Sequence, residues 1–395
     1  MNDFLKNDDI LVLSDSYWDA PKRVRHKMPL AWAREGNRVL WIESPFLYYD
    51  RTFPGKLSAS LAGGIREKEE RLFVARAFPG IRGLLYLGSP GRMLLNLHYR
   101  LLARRIGKYL AKLDMKPRLL VLWQEACFHP LIPLIDHKIS IYYANDIYGY
   151  GKARPRDQLV LKDCCKSVDA VFATSRAVHD QLKVHNPRTR HIPHAVDLEW
   201  WERNHESVPE EYNRIPPPRV VFTGVVDSRI DGAFLQAVAG GSPRFQFIMV
   251  GPMKGAGVGL DRTITAKNVH FLGGKSPDEL PGYIQGADIL MFPYGKGELC
   301  DHIGLPLKFY EYCISGKPIL STPFTSFETE SRQLVYVRST PEEWIAGIRD
   351  LLSGGQGGEL KAKARIELAV QNTYRHRIEE QSKFLDEIAG GIDGK

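Results

Sequence analysis

Short runs of apolar residues alternate along the chain with longer stretches whose apolar positions recur at helical spacing. Asp9-Ile-Leu-Val-Leu-Ser14 reads as a buried strand, about Arg23 to Glu35 as a helix stopped by Gly36-Asn37, and Arg38-Val-Leu-Trp-Ile-Glu43 as a second strand. This is a β-α-β unit, and the pattern recurs with strands at Arg118–Trp123, Ile139–Tyr143 and Ala170–Thr174. Strands alternating with helices predict a parallel sheet covered on both faces. Between Asp197 and Arg219 the alternation gives way to charged residues and Pro216-Pro217-Pro218, which reads as a linker. A second series follows, with strands at Val220–Thr223, Phe245–Val250, Val269–Leu272, Ile289–Phe292 and Pro318–Ser321. The predicted fold class is α/β with two doubly wound domains and a cleft between them, over residues 1–205 and 206–375. Residues 376–395 continue an amphipathic helix, near Tyr374 to Ile388, that is expected to pack back on the N-terminal domain.

The length of 395 residues agrees with two cores. MNDFLKNDD lacks the basic and apolar regions of a secretory signal, and apolar runs such as Ala287–Pro293 are too short to cross a bilayer. A cytoplasmic protein is therefore expected. Five scattered cysteines (Cys127, Cys164, Cys165, Cys300, Cys313) include no CxxC pair, so neither a disulfide framework nor a zinc site is implied. Charge alters the picture more. The chain carries +8, yet residues 51–118 alone hold fifteen Lys or Arg against four acids. Within residues 84–118, Leu84-Leu-Tyr-Leu and Met93-Leu-Leu-Asn-Leu-His-Tyr combine with Arg92, Arg100, Arg104, Arg105 and Lys108. That composition suits a face resting on anionic lipid at the inner surface of the cell membrane. It equally suits an amphipathic helix with a solvated basic side. No aromatic-plus-basic module points to nucleic acid.

The second half carries an ordered set of motifs: Val221-Phe-Thr-Gly224 followed by Asp231; Phe247-Ile-Met-Val-Gly-Pro252; Asn268-Val-His-Phe-Leu-Gly273; Leu280-Pro-Gly-Tyr-Ile-Gln-Gly-Ala-Asp288; Phe292-Pro293; and Leu305-Pro-Leu-Lys-Phe-Tyr-Glu-Tyr-Cys-Ile-Ser-Gly-Lys-Pro318. Over roughly a hundred residues this succession resembles the group-1 glycosyltransferases of the two-Rossmann-domain class, GT-B, in the subgroup of polysaccharide biosynthesis. The resemblance implies transfer of a sugar from a nucleotide diphosphate sugar, as co-substrate and without a metal or other cofactor, to a saccharide or polyprenyl-linked acceptor. A nucleotide-sugar epimerase of the same fold and a non-catalytic nucleotide-sugar-binding subunit are the alternative readings.

The segment from Asp301 to Pro318 is the expected donor site. Glycine and proline precede a helix beginning near Leu307, so the backbone around His302, Gly304 and Leu305 would present free N–H groups and a positive helix end to a diphosphate. Lys308 adds a full charge there; without its motif it reads as a solvated helix residue. Glu311, one turn on, looks like the family's ribose-binding glutamate. Gly224 directly after a strand admits a phosphate to the backbone or serves as a plain turn. The sequence also departs from the common pattern. Ile303 stands where an acidic residue is usual, and Val225, Val226 and Asp231 stand where arginine and lysine are common, leaving Arg229 to supply the charge.

In this architecture the N-terminal half serves the acceptor. Asp146, just beyond the strand ending at Tyr143, is the first candidate for base or acceptor contact; it resembles an aspartate of membrane-associated family members, and it equally reads as the cap of a turn. His129 is the second catalytic candidate, with a structural loop role as the alternative. Trp18, Asp19 and Glu125, each following a strand, are acceptor-side candidates, with ordinary loop packing as the alternative for Trp18 and Asp19.

Overall fold

A computed structural model describes residues 4–14, 16–19, 24–43, 63–76, 88–146, 155–295, 305–323, 329–354 and 358–393. It divides into two compact units, Met1–Pro193 with Tyr374–Lys395, and His194–Thr373.

The first unit is built on eight strands: β1 (Asp9–Ser14), β2 (Arg38–Glu43), β3 (Ile65–Glu69), β4 (Leu72–Arg76), β5 (Leu119–Trp123), β6 (Ile139–Ala144), β7 (Ala170–Ala173) and β8 (Thr189–His191). They lie in the order β3-β4-β2-β1-β5-β6-β7-β8, parallel except for the β3–β4 hairpin at one edge. β1 and β5 to β7 are buried along their whole length, as expected of runs covered on both faces. On one face Leu11, Leu13, Leu120, Leu122, Tyr142 and Val171 pack under helix Gly88–Leu113, the 3-10 helix Ala126–Leu134 and helix Pro155–Ser167. The other face is aromatic. Trp123 stacks on Tyr143 with centroids 4.1 Å apart, and Trp32 from helix Val24–Arg34 meets Trp123 edge-on. The C-terminal helix Tyr374–Asp393 closes this face, with Gln381 accepting from Trp32 Nε1 at 3.0 Å and donating to the Tyr143 hydroxyl at 3.3 Å. The helix expected to return to the N-terminal half thus belongs to the first unit.

The second unit contains β9 (Arg219–Thr223), β10 (Gln246–Val250), β11 (Val269–Gly273), β12 (Ile289–Phe292), β13 (Ile319–Ser321) and β14 (Tyr336–Val337). All pair in parallel in the order β11-β10-β9-β12-β13-β14, the doubly wound arrangement whose direction reverses between β9 and β12. The segment read as a plain linker is partly helical. Asp197 caps helix Leu198–Asn204 through Trp200 N, and Trp200 and Trp201 are buried in the second unit's core. Val196 also bridges Thr373. These contacts draw the segment into the second unit from His194, ahead of the 205/206 boundary that the sequence predicts.

Candidate functional site

In a doubly wound sheet, ligands gather where strand order reverses, beyond the carboxyl ends of the strands. In the second unit that point follows β9 and β12, at Gly224 and Tyr294. Gly224 has φ +125°, and a Cβ there would lie 2.3 Å from Lys308 Nζ, so glycine is what lets the ammonium approach the turn. Beside it, Gly251 (φ +153°) lies so close to the Gly224 carbonyl that a Cβ would overlap it.

Helix Leu307–Ile314 connects β12 to β13. Its first residue follows Pro306, which offers no side-chain cap, and its ring of buried residues includes Glu311 and Tyr312. The Tyr312 hydroxyl accepts from Thr223 N at 2.8 Å, fixing the helix to the end of β9 immediately before Gly224. At the helix C-terminus Gly316 (φ +69°) ends the turn, and the buried Arg365 donates to its carbonyl at 2.9 Å. Tyr312 and Arg365 thus both anchor the C-terminal half of the helix.

Lys308 reaches the end of β9. Its Nζ lies 3.8 Å from the centre of the Phe222 ring and 5.9 Å from that of Tyr294. Burial of the ammonium, with the Arg229 charge beside it, pushes the Lys308 pKa down to about 7. The loop after Gly224 brings Arg229 to the same place. Its guanidinium carbon is 5.9 Å from the Tyr294 ring centre, and Asp231 N and Gly295 N bond across the two segments to Pro293 and Arg229 carbonyls at 3.0 and 2.7 Å. Arg229 is held bidentately by Asp227, with Nε–Oδ1 and Nη2–Oδ2 both 2.8 Å. Burial works to raise the Asp227 carboxyl, but the Arg229 hydrogen bond and charge outweigh it and hold it below its ordinary value.

Gly224, Arg229 and Lys308 are thus brought together, with Leu305 at the entry to the helix and Glu311 one turn along it. His302 and Gly304 lie outside the described residues. Asp227, Phe222, Tyr294 and Tyr312 escaped the sequence reading. An aspartate two residues from an arginine was a visible signal for the first; the others depend on which strand ends become neighbours.

The N-terminal candidates are dispersed. Trp18 is buried, meets His26 and Trp41 edge-on, and donates from its backbone to Glu43 at 3.0 Å. Asp19 pairs with Lys68 (2.9 Å) and Arg66 (3.3 Å), and the Lys68 hydrogen bond foremost holds its carboxyl below the ordinary range. Glu125 caps the 3-10 helix by accepting from Cys127 N. His129 Nδ1 lies 3.0 Å from the Ala126 carbonyl, and the ring lines a cavity of about 410 Å³ with Tyr99, Arg156 and Asp163. Asp146 is exposed at the end of β6. Its backbone, with that of Asn145, is clasped by Gln124: Oε1 accepts from Asn145 N at 2.7 Å and Asp146 N at 3.2 Å, while Nε2 donates to Asp146 O at 3.1 Å. Gln124 itself has φ +60°, a conformation uncommon outside glycine and asparagine. A cavity of about 1040 Å³ in the second unit, lined by Glu211, His270 and Tyr283 among others, holds none of the predicted residues. Its Glu211 is committed to Lys275 and Tyr283.

Two successive Rossmann-like units, each on a largely parallel sheet, make up the GT-B fold. Residues 217–354 match the family described as glycosyl transferases group 1. A curated relative, TuaH of Bacillus subtilis (strain 168), a glycosyltransferase assigned to teichuronic acid biosynthesis, is 28% identical over 142 residues, 35% of this chain and 35% of that protein. The match thus spans about a third of the relative's length. Among solved structures, sucrose-phosphate synthase from Thermosynechococcus elongatus superposes with a TM-score of 0.67 at 14% identity, over 97% of this chain and 100% of that one. Alr3699/HepE of Anabaena in complex with UDP gives 0.65 at 14% identity, over 96% and 100%. Residues 217–354 are thus similar to the group-1 glycosyl transferases, within a chain of GT-B fold.

Proposed function

We propose that the protein transfers a sugar from a nucleoside diphosphate sugar to a saccharide or polyprenyl-linked acceptor during assembly of a cell-surface polysaccharide. The juxtaposition of Gly224 and Lys308 at the β9/β12 switch point carries the reading: a glycine turn, an ammonium and an uncapped helix start converge on one spot. On departure of the sugar, charge builds on the leaving diphosphate, and Lys308 and Arg229 would receive it, with no metal needed for that step. Glu311 would accept from the ribose hydroxyls. Asp146 is proposed to meet the acceptor, as base or as binding group, from the first unit, with His129 held to its own turn. The similarity to a teichuronic acid glycosyltransferase supports a polysaccharide product.

The proposal extends to the inner membrane surface. Helix Gly88–Leu113 buries Leu95, Tyr99, Leu102, Ile106 and Leu110, and its opposite face exposes Met93 and Leu97 followed by Arg100, Arg104 and Lys108. An apolar tip beside a cationic row matches anionic lipid.

Calorimetry with UDP, GDP and ADP, followed by NMR of products from the corresponding sugars with and without acceptor, tests the central reading. Binding of one nucleotide is expected, weakened about tenfold or more by Glu311→Ala, the scale of hydrogen bonds to a charged group. Absence of binding to any nucleoside diphosphate would sink it; an epimerised donor without acceptor would replace it.

A further inference from the structure

We propose that Asp227 is a built-in counter-anion of the donor site, competing with the nucleotide diphosphate for Arg229 and so holding product affinity down. This rests on the donor-site reading above.

Asp227 lies three residues beyond Gly224, and both its oxygens face the guanidinium. Its Oδ1 also accepts from Arg229 N at 3.1 Å, a turn contact that an asparagine would make equally well. What the carboxylate adds over an amide is the second acceptor and the charge, and both go to the Arg229 side chain. The pair is largely sheltered, with side-chain exposures of 27% for Arg229 and 24% for Asp227, so the charge is less screened than on an open surface.

The surroundings give that charge a target beyond Arg229. Arg229 and Lys308 each stand 5.9 Å from the Tyr294 ring centre, so both cations gather about one ring. Asp227 and Glu311 both act electrostatically on Lys308. Among the described residues the cluster thus sets two cations against two carboxylates. A site built only to hold a polyanion tightly would leave its whole arginine fork open, whereas here Asp227 takes the Nε and Nη2 edge that bidentate recognition of phosphate can use. Here an entering diphosphate must share or displace a carboxylate, and the carboxylate returns when the nucleotide leaves. The exchange is between non-covalent partners and needs no proton or further reagent.

The test compares UDP, GDP and ADP affinities of the wild type, Asp227→Asn and the double variant Asp227→Asn/Arg229→Gln by calorimetry. Measurements are made at pH 6, where Lys308 retains its proton, and at two salt concentrations. Asparagine keeps the turn bond and removes the charge and the second acceptor. Asp227→Asn is expected to bind about tenfold tighter, the order of one charge contact in a half-sheltered site, with a steeper loss of affinity in salt. Unchanged or weaker binding overturns the proposal. Should the single variant fail to fold, the charge-balanced double variant decides: affinity within about threefold of wild type supports a self-neutralising pair, and a loss beyond about tenfold overturns it. If the wild type binds none of the three nucleotides, the donor-site reading itself falls, and this proposal falls with it.

Discussion

Binding of a nucleoside diphosphate is expected to load a proton onto Lys308. In the free protein, burial and the Arg229 charge bring the Lys308 pKa down to about 7. At pH 8 roughly one molecule in ten then carries the proton, whereas a diphosphate beside the ammonium restores a pKa near the ordinary lysine value and fills the site. The predicted uptake is about 0.9 proton per nucleotide at pH 8, falling to about 0.1 at pH 6, where Lys308 is already charged. Calorimetric titrations in buffers of low and high ionisation enthalpy measure it. The nucleotide's own terminal phosphate titrates near pH 6, so Lys308→Met is the control, and the difference between the two proteins isolates the lysine.

The same shift fixes a sign for stability. With the folded pKa lowered, the unfolded chain binds the extra proton between about pH 7 and pH 10, so this residue makes stability rise with pH across that window. Below pH 7 the folded state holds a buried charge, and Lys308→Met is expected to melt higher than wild type there while binding nucleotide more weakly. Equal proton uptake at pH 8 in the two proteins, or a lower melting temperature of the variant at pH 6, would refute the assigned environment.

Two further outcomes are expected. Gln124→Ala removes three hydrogen bonds to the Asn145–Asp146 backbone and keeps a Cβ in a strained conformation. It should slow transfer more than about tenfold, by misplacing Asp146, while nucleoside diphosphate affinity stays at the wild-type value; parallel measurement of kcat and Kd exposes any failure. In flotation with vesicles containing anionic lipid, Arg100→Glu/Arg104→Glu should lose association with the vesicles, and equal flotation of the variant removes the helix Gly88–Leu113 as the docking face.

The architecture was legible because it rests on periodicity. Strands such as Ile10–Leu13 and Leu119–Trp123 are apolar at every position, and only a sheet covered on both sides uses such runs. The edges were less so: β8 and β14 are three and two residues long, too short to carry a pattern. The linker misled for the opposite reason. Its charges dominate the count from Asp197 to Arg219, yet two adjacent tryptophans decide where the segment packs. The candidate donor site divides in the same way. Gly224 and Lys308 belong to motifs with local spacing, so each announced itself, but their contact across 84 residues of sequence follows from β9 and β12 being neighbours. Tyr312, whose hydroxyl receives Thr223 N, reads in the sequence as one apolar position of a helix. Asp227 is the sharper case. It carries no reading in the sequence, and Arg229 reads as the charge that replaces missing basic residues. Their mutual bond changes that, because a cation already paired at 2.8 Å offers an incoming anion an exchange in place of an open fork. Local sequence supplies the groups, and strand neighbours decide which of them are already engaged when the substrate arrives.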